Sequence, residues 1–154
     1  MPVKLTRVVL TMDCERVRTS QFYPAGPLSW EESARNISAF AGVVERHGCR
    51  ATLFAVPEAI EAHADLFKQL LAAGHEVGLH LHPHTFRHGV NEYLGNLPED
   101  RQAAILAEAK HAFEAAMGFA PTSFRPGHFS ANADTFRILA SLGFSRGSSG
   151  IPGR

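Results

Sequence analysis

Strand-like and helix-like stretches alternate along the whole chain, and this alternation restricts the fold to a mostly parallel sheet covered by helices. Residues 5–12 (LTRVVLTM) are short, β-branched and apolar, with Val8-Val9-Leu10 as the expected buried centre. Residues 16–28 are polar and contain Pro24, Gly26 and Pro27, which reads as a loop. Ser29-Trp30-Glu31-Glu32 has the capping-box form, so a helix starts there, buries Trp30, Ala34, Ile37, Ala41 and Val44, and stops at Gly48. Residues 51–56 (ATLFAV) form the second strand. Pro57 then opens a helix that buries Ile60, Ala64, Phe67 and Leu71 and ends at Gly74. Residues 75–80 are the third strand, and 83–98 a long loop. A third helix runs from about Pro98 to Met117, with Leu106, Ala109, Phe113 and Met117 inward. A short strand at 122–125 precedes a fourth helix at about 132–142, buried through Phe136, Leu139 and Ala140. Phe144 is a candidate strand start, after which the tail breaks up into Gly, Ser and Pro.

In open parallel sheets and in barrels alike, ligands bind beyond the carboxyl ends of the strands. Three polar clusters follow strands here: Asp13 with Glu15, the histidines from His80 to His84, and Arg125 with His128. They are therefore expected at one rim. The middle cluster belongs to a stretch from His75 to His88 that holds five of the nine histidines. Neutral imidazole is the commonest protein ligand for transition metals. Two pairings are open. His80 and His84 are four apart and share a helical face, although Pro83 disfavours helix at His82. His80 and His82 share one face of a strand. Asp13 and Glu15 also share a face if the first strand reaches them, and such a pair allows one carboxylate to bind metal while the other acts as base.

The remaining composition narrows the partners. Lys plus Arg and Asp plus Glu both number 15, so no nucleic-acid or anionic-membrane partner is expected. No apolar run is long enough to span a bilayer, and Met1-Pro2-Val3-Lys4 does not open a signal peptide. A cytoplasmic setting is expected, with Cys14 and Cys49 as reduced core thiols.

Taken together, the motifs resemble the polysaccharide deacetylase family, also called the NodB-homology domain or carbohydrate esterase family 4. Thr11-Met12-Asp13-Cys14-Glu15 resembles its first motif, T-F-D-D. Gly74-His75-Glu76-Val77-Gly78 followed by His80 and His84 resembles its second, and Phe124-Arg125-Pro126-Gly127 its third. Ala51-Thr52-Leu53-Phe54 between them is similar to A-T-F-F. The resemblance implies an α/β fold, a partial distorted (β/α) barrel. It implies a divalent metal, with zinc expected, held by Glu15, His80 and His84. Asp13 would be the catalytic base and Arg125 its orienting partner, with the reverse assignment of Asp13 and Glu15 left open. The implied reaction removes acetyl groups from a carbohydrate or a related small amide.

There are three departures. Glu15 replaces the second Asp of the first motif, one residue later. Leu81 stands where Ser or Thr is usual, and Pro83 precedes the second His instead of following it. The chain also ends before the family's last two motifs, an Asp/Trp pair and a Leu-x-His that supplies the general acid, so a single C-terminally truncated domain is expected. His82 and His128 are candidate stand-ins for that acid, each read first as a loop histidine. Tyr23 and Trp30 are aromatics suited to a sugar ring, Trp30 being read as core. Two alternatives accompany this reading: a non-catalytic metal- or carbohydrate-binding domain, and an amidohydrolase-type enzyme using His80 and His82. The oligomeric state has no signature.

Overall fold

A computed structural model describes residues 7–18, 26–86 and 90–150. Five parallel strands form one sheet in the order β1-β2-β3-β4-β5: β1 (Leu10–Cys14), β2 (Ala51–Ala55), β3 (Glu76–Leu81), β4 (Ser123–Pro126) and β5 (Arg146–Gly147). Strand order that follows chain order means that every crossover steps the same way. With right-handed crossovers the helices then lie on one side of the sheet, as in a segment of a barrel. These helices are α1 (Trp30–Arg46), α2 (Pro57–Ala62), α3 (Ala64–Ala72), α4 (Glu99–Met117) and α5 (Ala133–Ser141).

Strand periodicity sorts the residues between two faces. Cys14, Leu53, Ala55, Val77, Leu79, Leu81 and Phe124 alternate onto one face and join Ile37, Ile60, Phe67, Leu106 and Phe113 in the main apolar core. The other face carries Thr11, Asp13 and Glu15 from β1 and just beyond it, Phe54 from β2, Gly78 and His80 from β3, and Ser123 and Arg125 from β4. The register places Asp13 opposite Phe54, Phe54 opposite Gly78, and His80 opposite Arg125. A parallel strand buried on both sides is normally apolar throughout. A polar row along one face therefore marks a site.

Several expectations shift in detail. The first strand begins at Leu10, not Leu5, and Val8 and Val9 are each 77% exposed. Its ladder starts at Leu10–Ala51, because β2 itself starts only after the Gly48 turn, so among the described residues Val8 and Val9 have no strand beside them. Residues 1–6 and Tyr23 lie outside the described residues. The second helix is two helices, broken at His63 (φ −128°, ψ 27°), whose ring is buried edge-on to Trp30. In α5 the buried residues are Thr135, Ile138 and Leu139, while Phe136 is 53% exposed and Ala140 is also outward. The polar contact sets that rotation: Thr135 Oγ1 donates to Gln102 Oε1 at 2.5 Å in the interior, and the capping box of Asn132 and Thr135 fixes the helix start. Cys14 is a buried free thiol as expected, but Cys49 is free and exposed, because it follows the Gly48 turn ahead of β2. At α1, Ser29 Oγ accepts from the Glu32 amide, while the Glu32 carboxylate accepts from Leu28 N and not from the cap residue.

Candidate metal centre

The polar face ends in two linked groups. In the first, Glu15 Oε1 lies 3.0 Å from His82 Nε2 and 3.3 Å from His80 Nε2. Strand geometry explains this pairing. His80 lies on β3, His82 continues its alternation past Leu81, and Glu15 does the same beyond Cys14 on β1. The three ligand-capable atoms lie within 4.8 Å of one another. His84, which the family resemblance joins to His80, is held in the turn after Pro83 and groups with His82 and His128. That turn is closed by the amides of Thr85 and Phe86 donating to the His82 carbonyl, and Arg16 donates to the Thr85 carbonyl at 2.7 Å.

In the second group, Arg125 NH1 donates to Asp13 Oδ1 at 2.5 Å. Its NH2 donates to Thr11 Oγ1 at 3.0 Å and to Ser148 Oγ at 2.8 Å, and Nε donates to the same Ser148 oxygen at 3.2 Å. The guanidinium lies 4.4 Å from the centre of the Phe54 ring, within cation–π range. Gly78 makes that packing possible: a Cβ there would meet Phe54 carbons at 2.9 Å and Ser123 Oγ at 2.5 Å. A planar donor gripped on three edges and one face holds Asp13 in one orientation.

Protonation follows from the same contacts. His80 Nδ1 lies 2.8 Å from the Arg125 carbonyl, which can only accept, so this nitrogen carries a proton. Nε2 is then the nitrogen that faces Glu15. Burial alone would raise the Glu15 carboxyl, but hydrogen bonds and charge from His80 and His82 outweigh it and hold the group well below the usual carboxylate range. Burial alone would lower His80, but the hydrogen bond and charge of Glu15, the charge of Asp13 and the Arg125 carbonyl raise it above its ordinary value. The Cys14 thiol is pushed far up, first by burial and then by Asp13 and Glu15, so it is no thiolate ligand.

The donor set fits a cation. Two imidazoles and one carboxylate converge, and the backbone carbonyl on the far nitrogen of His80 is the outer contact that commonly orients a ligating histidine. Among the residues that complete this site, His82 was legible in the strand-parity pairing, and Thr11 precedes Asp13 by two. Ser148 lies in a Gly/Ser tail with no pattern to single it out. Trp30 is half-buried against His63, as expected of core.

The sequence model of the polysaccharide deacetylases matches residues 18–147. The chain belongs to the polysaccharide deacetylase family. Its fold is similar to a putative polysaccharide deacetylase from Mycobacterium smegmatis (TM-score 0.66, 22% identity, 92% of this chain and 50% of that one). It is also similar to a family 4 carbohydrate esterase from Streptomyces lividans in complex with acetate (TM-score 0.61, 22% identity, 90% and 60%). A family 4 pseudoenzyme from Bacillus anthracis is a third (TM-score 0.63, 18% identity, 90% and 41%). This deacetylase-family chain thus spans 41–60% of the length of those structures. No curated protein matches it. No helix among the described residues is long and apolar enough to cross a membrane.

Proposed function

We propose that this domain is a metal-dependent hydrolase that removes acetyl groups from an amino sugar or a related small amide. The observation that carries the reading is the meeting, on one sheet face, of the Glu15–His80–His82 donor set and the Arg125–Asp13 ion pair. Held by those three donors, a divalent cation such as Zn2+ would polarise the acyl carbonyl and acidify a water. Asp13 is the base. Arg125 holds it aimed, and Asp13 takes one proton from the attacking water. The water oxygen bonds to the acyl carbon, the C–N bond breaks, and the proton held by Asp13 leaves with the amine.

The donor pair His80 and His82 also suits an amidohydrolase-type site, but family membership and the Arg125–Asp13 pair favour the deacetylase. The test is acetate release from N-acetylglucosamine oligomers and from small acetamides after Zn2+ loading. Release by the native chain is expected to fall about 10²–10⁴-fold in Asp13→Asn, the range of a lost general base, with metal content unchanged. Bound metal with no acetate from any of these substrates would overturn the enzyme reading in favour of a binding domain. Equal release by Asp13→Asn would remove Asp13 from the chemistry.

A further inference from the structure

A second cluster of imidazoles lies beside the first and shares His82 with it, while its other two members are not used in the reaction above. One nitrogen from each of His82, His84 and His128 lies within 4.8 Å of the others. The ring centres are 5.3 Å apart for His82–His84, 4.9 Å for His82–His128 and 5.4 Å for His84–His128. Three separate local structures bring them together. His82 sits at the end of β3, His84 in the hydrogen-bonded turn after Pro83, and His128 in the turn after β4. That last turn is unusual. His128 and Phe129 both have φ of 54°, a left-handed pair without a glycine at either position. Such residues are strained and collect at binding sites. Gly127 lets the turn come this close, since a Cβ there would lie 2.3 Å from His82 Nδ1. That Nδ1 is buried and has no hydrogen-bond partner among the described residues, while Nε2 of the same ring faces Glu15. A buried nitrogen without a partner is an uncommon cost. Tyr93 packs 4.9 Å from His128, and a cavity of about 270 Å³ opens between Tyr93, Asn91, Glu92 and the two outer histidines.

We infer that His82, His84 and His128 form a second metal site, at the mouth of the first, for a borderline cation such as Zn2+, Ni2+ or Cu2+. Three imidazoles with no carboxylate select such ions over Mg2+ and Ca2+, unlike the inner set with Glu15. The inference goes beyond the proposed hydrolysis and shares only His82 with it.

Co2+ is the probe, read by its visible absorption and by anomalous scattering. Glu15→Ala with His80→Ala removes the inner donors. This variant is expected to keep Co2+ binding, and adding His84→Ala and His128→Ala to weaken it at least about 100-fold, the upper end for loss of an outer-shell contact. Crystals of the unaltered chain soaked in Co2+ supply the second measurement, independent of whether the variants fold, with an anomalous peak expected between the three rings. Peaks confined to Glu15, His80 and His82 would overturn the inference, as would Co2+ binding indifferent to His84 and His128. If removing Glu15 and His80 leaves the number of bound Co2+ ions unchanged where two sites predict the loss of one, the inner site and the hydrolase reading fail while the outer site stands.

Discussion

Gly78→Ala is the sharpest probe of how the sheet supports the site. The added methyl would lie 2.9 Å from Cδ1 and Cε1 of Phe54 and 2.5 Å from Ser123 Oγ. An ordinary carbon contact is about 3.5–4.0 Å, so the Phe54 ring must withdraw by roughly 0.6–1.1 Å. It has little room to do so, because the Arg125 guanidinium lies 4.4 Å from its centre and is itself bound to Asp13, Thr11 and Ser148. Overpacking of this kind costs about 1–3 kcal/mol, and we take ~2 kcal/mol here. For a chain of this size that corresponds to a fall in Tm of about 4–8 °C. The strain is passed to Arg125, so acetate release should fall by up to about 10²-fold, the cost of misplacing a catalytic group by 1 Å. Urea denaturation and thermal melts read the first effect, and turnover on the best acetylated substrate the second. A midpoint unchanged from the native chain would refute the packing argument. A large loss of stability with full turnover would refute the mechanical link from Phe54 to Asp13.

Three further outcomes follow from the same contacts. Gly42 lies inside α1 with only Arg46 NH1 near a built Cβ, at 3.7 Å, so Gly42→Ala should stabilise by about 0.5–1 kcal/mol in urea titrations. Thr135→Val strips the buried Gln102 oxygen of its donor and should cost about 1–3 kcal/mol by the same assay. In the metal-free chain, the lowered Glu15 carboxyl contributes stability above pH 4.5 that is lost as pH falls toward its depressed folded value. The raised His80 contributes below pH 6.5 and is lost as pH rises through its folded value. The pair therefore adds most between pH 4.5 and 6.5, and Zn2+ must displace protons to bind. Calorimetry in buffers of different ionisation enthalpy should show proton release and affinity that drops as pH falls. Pure proton neutrality would contradict the protonation scheme.

Local chemistry was legible along the chain. Periodicity, caps and terminating glycines located the strands and most helices, and the parallel layered fold followed from their alternation. Asp13 and Arg125 were named from motif order, and the structure brings them into an ion pair across 112 positions. Other features depended on neighbours that a linear pattern does not contain. Val8 and Val9 look like a strand centre, yet a strand extends only as far as its partner, and β2 begins too late to pair with them. Phe136 looks like core, yet the hydrogen bond between Thr135 and Gln102 turns α5 by about one position. The grouping of His80, His82 and His84 follows from Pro83. It ends the strand alternation after His82 and sends His84 into a turn toward His128. Residue types alone determined that this rim would gather imidazoles and carboxylates. Only the three-dimensional packing decided which of them share a point in space, because that depends on strand register and turn shape, and both are properties of several segments at once.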